Sequence, residues 1–166
     1  CAHYLRVTQE VPAWSNPQDW TLGRRMFERY GVLTMLVGVN VLVESYSGGK
    51  DNAVLMMSGR LGDKRAMRRL AETSKFVLDV VTDLASGGTG HESILAVRLL
   101  HARVRQLCRR RGHDVEARDE PINQEAMAGT LMLFSCGIIR ALERMGVDIT
   151  PKEKESYHNL WRHAGW

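Results

Sequence analysis

His101 occupies the most chemically suggestive position in this sequence. Between Glu92 and Arg111, the residues Ile94, Val97, Val104 and Cys108 recur at the spacing of one helix face. At about 100° per residue, His101 falls in the middle of that apolar stripe. Arg98 and Arg105, one turn to either side, project only about 40–60° away from it. An imidazole so placed can be a metal ligand, a general base or a hydrogen-bonded core residue. Guanidinium groups beside it can grip carboxylates through paired N–H donors. The run Arg109-Arg110-Arg111 requires no ligand, because cations complement the dipole at a helix C-terminus.

Other chemistries find less in the chain. A di-iron carboxylate bundle needs two Glu-x-x-His pairs and two further glutamates, and Glu155-x-x-His158 is the only such pair. The HExxH motif of zinc hydrolases is absent. The glycine-rich break from Ser86 to Gly90 lacks a P-loop lysine and follows no strand pattern. Three cysteines without C-x-x-C spacing exclude a covalently attached c-type haem and make a reduced compartment the default. No apolar h-region stands between Ala2 and Val11, so the cytoplasm is the expected location. Glu44 closes an almost wholly apolar run, where burial would raise its pKa and suit it to proton transfer; a solvated helix end is the competing reading. Thr130 lies among Ala128, Gly129, Ser135, Cys136 and Gly137, small residues that admit a cofactor or a neighbouring helix. Tyr157 and Trp161 read as core or interface aromatics, and His91, His113, His158 and His163 as surface or loop histidines.

The elements that must position these residues are helices. Ser15, Pro17 and Gln18 open one that ends near Gly31, and Gly31 to Tyr46 reads as a buried core helix, too short for the roughly 20 apolar residues that span a bilayer. A long amphipathic helix from Asp63 to Leu84 places Met67, Leu70, Val77, Val81 and Leu84 on one face. Thr89 with Glu92 forms a capping-box pattern for the histidine helix. A polar loop from Gly112 to Glu120 leads to a helix from Asn123 to Met145, closed by Gly146. The final helix starts with Thr150, Pro151 and Glu153 at the N-cap, N1 and N3 positions. No period-two alternation, repeat or linker interrupts the pattern. The expectation is one all-α domain of about six helices over residues 1–166. Because the chain opens on Cys1 and stops at Trp166 inside a helical pattern, it is expected to be part of a longer protein.

Length and composition agree with a globular domain: 166 residues, 44% hydrophobic and 25% charged, which excludes collagen-like, disulfide-scaffold and disordered classes. The net charge of +4 is concentrated between Arg98 and Arg118, where seven arginines face only Asp114 and Glu116. That patch supports an alternative from another class, a non-catalytic helical module binding nucleic acid or an acidic partner. Such a module would turn Arg98 and Arg105 to solvent, whereas their interleaving with Ile94, Val97 and Val104 favours a pocket and disfavours nucleic acid.

Several stretches resemble a known family. Val97-Arg98-Leu99-Leu100-His101-Ala102-Arg103-Val104-Arg105 is similar to the R-L-x-H-A-x-V-R signature of the latex clearing protein (rubber oxygenase) family, which includes fungal MpaB-type oxygenases. Pro121-Ile122-Asn123-Gln124-Glu125 followed by Ala128-Gly129-Thr130 resembles its P-I-N-Q-E and A-G-T elements. Tyr157-His158, Trp161-Arg162 and Gly165 resemble the segment that follows, and Ser58-Gly59-Arg60-Leu61 with Arg69 and Glu72-Thr73 resemble elements upstream. The resemblance spans most of residues 44–166.

It implies an all-helical fold around a non-covalent haem b, with His101 as proximal iron ligand and Arg98, Arg105 and Thr130 shaping the cofactor site. It implies an oxidoreductase that activates dioxygen to cleave a carbon–carbon double bond in an apolar, isoprenoid-like substrate. Glu44, Arg60 and Lys64 are the implied distal catalytic residues. Gly62-Asp63-Lys64-Arg65 departs from the lysine–threonine pattern of the rubber-cleaving members, which weighs against rubber itself as substrate. A degenerate member without haem is the further alternative.

Overall fold

Caps and close helix–helix approaches set the boundaries of the elements. The computed structural model describes residues 2–47 and 63–166, and every regular element among them is helical. In chain order these are α1 (Ala2–Val7), α2 (Pro17–Arg29), α3 (Gly31–Ser47), α4 (Asp63–Thr82), α5 (Thr89–Arg110), α6 (Val115–Arg118), α7 (Gln124–Met132), α8 (Ile138–Arg144) and α9 (Pro151–Gly165). A π-helical segment, Leu133–Gly137, joins α7 to α8 without a break. The all-α expectation is met.

Two pairings organise the chain. α2 lies along α9, and α4 lies along α5. The first is close because Gly23 has no side chain: a Cβ there would stand 3.0 Å from the Ser156 carbonyl oxygen and 3.1 Å from the Tyr157 Cα. The second is pinned by Gly90, whose N–H donates to the Asp83 carbonyl at 2.8 Å. A Cβ on Gly90 would come within 2.6 Å of the Asp79 and Asp83 carbonyl oxygens. The α3 helix packs on α8 and the π-helical segment, which in turn rests on α9.

The core gathers where these pairs meet, around Met26, Val80, Ile138, Leu142, Tyr157, Leu160 and Trp161. Trp161 stacks on Phe134 with ring centroids 5.1 Å apart, and Phe76 and Tyr157 close around it. Beside this apolar centre, buried Asp19 ties α2 to α9 by accepting from Lys152, Ser156 and Asn159.

The caps partly follow the sequence pattern. Thr150 and Glu153 form the reciprocal capping box of α9, with Pro151 at its start. At α2 the capping residue is Asn16 rather than Ser15, its side-chain oxygen accepting from Gln18 N at 3.0 Å. At α5 the expected Thr89–Glu92 box is absent; Gly88 is the N-cap and makes no side-chain bond. The two residues nearest α4, Gly88 and Gly90, determine where α5 can begin.

Two apolar assignments change. Val32 is 79% exposed and Leu36 faces solvent, so α3 buries a stripe that includes Thr34 and Val37 rather than its whole surface. Met67, expected on the buried face of α4, is 67% exposed. The continuous run Gln124–Arg144 is long and apolar enough to cross a membrane by length and composition, unlike the Gly31 to Tyr46 run. Its second half is built into the core through Phe134, Ile138, Ile139 and Leu142, while no residue of α7 is buried.

Candidate functional site

α5 carries the expected constellation. Its inward stripe buries Ile94 and Cys108, with Val97, His101 and Val104 half-buried between them. Leu99, Leu100 and Leu107 lie on the opposite, exposed side. The His101 Nδ1 atom is buried and meets no hydrogen-bond partner among the described residues. An unpaired imidazole nitrogen in such a place costs free energy unless a group beyond the described residues satisfies it. Burial first, and the neighbouring Arg105 cation second, hold the His101 pKa below the ordinary histidine value. The ring is therefore neutral near pH 7, with a lone pair available to a metal.

Arg105 is half-buried, and its Nη1 donates to the Ile122 carbonyl at 2.9 Å. That carbonyl is presented by an unusual backbone: Ile122 has φ 54°, and Asp119 just upstream has φ 63°. A β-branched residue in the left-handed region is strained, at a cost of about 1–3 kcal/mol, and such strain persists only where surrounding contacts hold it. Here Arg105 holds one side, while Asn123 caps α7 by accepting from Ala126 N at 2.8 Å on the other. The Pro121-Ile122-Asn123 segment thus couples the histidine helix to α7. Arg105 was expected to grip an anion; part of its donor set is committed to the chain itself.

Arg98 is half-buried on the same helix, and its charge reaches His163 of α9. His163 is half-buried rather than a surface residue. It lies against Trp20 with ring centroids 4.4 Å apart, and its Nδ1 is 2.9 Å from Ser15 Oγ. Burial first, then the neighbouring His91 and the Arg98 cation, keep its pKa below the ordinary value. His158 is also half-buried and similarly lowered, by burial against the opposing pull of Glu143. His91 binds the Thr8 carbonyl at 2.8 Å, and His113 sits 2.9 Å from the Asp119 carbonyl in its loop.

Thr130 lies exposed on α7 with its hydroxyl donating to the Ala126 carbonyl at 2.9 Å. Glu44 falls within α3 and Lys64 within α4, where the backbone alone is described, and Arg60 lies outside the described residues. Among the described residues no three His, Cys, Asp or Glu side chains converge as a metal-ligand cluster. Glu155 pairs with Lys152, while His158 approaches the Cys136 thiol at 4.0 Å.

The residues present fit a haem in one specific respect. His101 offers a neutral imidazole with an orphaned buried nitrogen, flanked by two half-buried guanidinium groups on the same helix. One imidazole from the protein is the ligand set that a globin- or peroxidase-like haem iron requires. The π-helical segment Leu133–Gly137, which carries Ser135 and Cys136, packs on α3 and α9 and is not expected from the sequence; π turns inside α-helices recur at functional sites.

The model of the family described as ER-bound oxygenase mpaB/B'/Rubber oxygenase, catalytic domain, matches residues 24–166. No curated protein and no solved structure gives a significant match.

Proposed function

This chain belongs to the mpaB/rubber oxygenase catalytic-domain family, and from that membership we propose that it is a haem b-dependent oxygenase acting on an apolar, isoprenoid-like substrate. The observation that carries the haem assignment is the buried, unpaired Nδ1 of His101 on an otherwise apolar helix face. Bound haem would supply the iron at which dioxygen is activated for oxidative cleavage of a carbon–carbon double bond.

The chain's own residues prepare that chemistry. Burial and Arg105 keep the His101 imidazole unprotonated, so its lone pair is not lost to a proton near neutral pH. Arg98 and the uncommitted N–H groups of Arg105 stand ready for haem carboxylates. The bond from Arg105 to the Ile122 carbonyl fixes that guanidinium's position. The uncovered α7 surface, including exposed Met132, leaves apolar area for a cofactor or substrate. Glu44, Arg60 and Lys64 remain the candidates for the distal side by family resemblance, with Glu44 as base.

The test is turnover. The protein reconstituted with hemin is incubated with an isoprenoid oligomer under dioxygen, and carbonyl products are trapped with a hydrazine reagent. We expect products that depend on dioxygen and disappear in His101→Ala. Haem-loaded protein that yields no carbonyl product across isoprenoid oligomers would contradict the proposed reaction while leaving haem binding standing.

A further inference from the structure

A cleft lies between the π-helical segment and the C-terminal end of α9. It has a volume of about 390 Å³ and is lined by Trp14, Leu131, Met132, Ser135, Arg162 and Trp166, with His158 and Gly165 completing the wall. None of His101, Arg98, Arg105 or Thr130 lines it, so it is not the pocket of the proposed iron ligand itself.

Three features give the cleft one chemical character. First, the Arg162 guanidinium lies 4.0 Å from the centre of the Trp14 ring, held in a stacked pose. Stacking pre-organises the planar fork and leaves its N–H edges free for an oxyanion. Among the described residues no carboxylate pairs with it; nearby Glu143 is engaged by Lys154. Second, Ser135 is buried at the cleft wall, yet its hydroxyl reaches the Met132 carbonyl only at 3.5 Å and the Cys136 sulfur at 3.7 Å. The carbonyl contact is long and a thiol sulfur is a weak acceptor, so the hydroxyl is held only weakly and can turn to a stronger acceptor. Third, Met132 is a large apolar side chain left mostly exposed beside this polar pair. Trp14 and Trp166 meet edge to face with centroids 6.1 Å apart.

A stacked cation and a spare hydroxyl donor inside an apolar rim are complementary to an amphiphile with an anionic end. We propose that this cleft binds an apolar molecule bearing a carboxylate, with Arg162 as the anchor and Ser135 as a second donor. His158 does not compete for the anion as a cation, because burial keeps it neutral. The carboxylate belongs either to a free apolar acid or to a propionate of a haem.

Calorimetric titration of the whole chain with decanoate and with 1-decanol tests this, in wild type and Arg162→Gln. Hemin and hemin dimethyl ester are run in parallel. A charge-assisted pair at a partly open site corresponds to about tenfold in affinity. If the occupant is a free acid, wild type binds decanoate about tenfold more tightly than decanol at one site. Arg162→Gln then erases that preference and leaves hemin unaffected. If a propionate is the occupant, Arg162→Gln weakens hemin about tenfold and leaves the dimethyl ester unchanged. Arg162→Lys, which keeps the charge without the fork, should fall between, and Ser135→Ala should weaken the carboxylate ligand alone. Equal affinity for decanoate and decanol in wild type, together with hemin binding indifferent to Arg162→Gln, overturns the proposal.

Discussion

Replacing Asp19 by alanine should destabilise the protein strongly at neutral pH and far less in acid. Asp19 is 8% exposed, and its carboxylate accepts from Asn159 at 2.9 Å and from Lys152 and Ser156 at 3.2 Å each. Lys152 is well exposed, so its ion pair contributes little. The main cost lies in Ser156, which is fully buried, and half-buried Asn159, whose donors would lose their acceptor. Two charge-assisted bonds lost and one or two donors orphaned amount to about 2–4 kcal/mol. For a domain of this size that corresponds to a fall in Tm of roughly 5–12 °C.

The pH dependence follows from the direction of the Asp19 shift. Burial works to raise its pKa, but the bonds from Asn159, Lys152 and Ser156 outweigh it and hold the carboxyl below 3.8, the ordinary value. A carboxylate with a depressed folded-state pKa stabilises fully above its unfolded value, and that contribution disappears as pH falls through the folded value. The Tm gap between wild type and Asp19→Ala should therefore be widest near pH 7 and narrow progressively as pH falls below 3.8, the ordinary carboxyl value. Asp19→Asn, which keeps the volume but sets an amide against three donors, should lie between the two. Differential scanning calorimetry across that range is the assay. A gap under 2 °C at pH 7, or one that stays constant into acid, would refute the reasoning.

Three further outcomes are expected. Trp161→Ala removes a fully buried ring stacked on Phe134 and should cost about 3–5 kcal/mol in chemical denaturation, with loss of near-ultraviolet ellipticity. Gly90→Ala forces a Cβ to within 2.6 Å of the carbonyl oxygens of Asp79 on α4 and of Asp83 just after it, and should separate α4 from α5. We expect a loss of about 1–3 kcal/mol and faster amide exchange at the start of α5, where a solvated helix end would show neither. Arg105→Gln removes the cation beside His101, so the His101 pKa, followed by NMR, should rise toward the ordinary value while burial keeps it below 6.5.

The sequence exposes the parts of this fold whose signals are local. Thr150, Pro151 and Glu153 specify their helix start without tertiary help, and the structure forms that box in full. The Ile94–Cys108 stripe likewise places His101 on the inward face, half-buried as expected. Where tertiary contacts compete, local patterns lose. Thr89 and Glu92 match a capping box, yet α5 is seated by Gly88 and Gly90 against α4. An apolar run from Gly31 does not reveal that Val32 and Leu36 stay exposed. Nor does spacing disclose that Arg105 spends a donor on Ile122, because that bond depends on a left-handed residue 17 positions away. The π-helical turn is equally hidden, although the small residues Ser135, Cys136 and Gly137 within it are visible in the sequence.

The central claim is that His101 holds a haem iron. The most direct measurement is an absorption titration of the protein with hemin beside His101→Ala, with free imidazole then added to the variant. A haem iron held by His101 gives a saturable one-to-one Soret band in wild type, displaced or lost in the variant and restored toward wild type by imidazole. Identical spectra and affinities for the two proteins would contradict it.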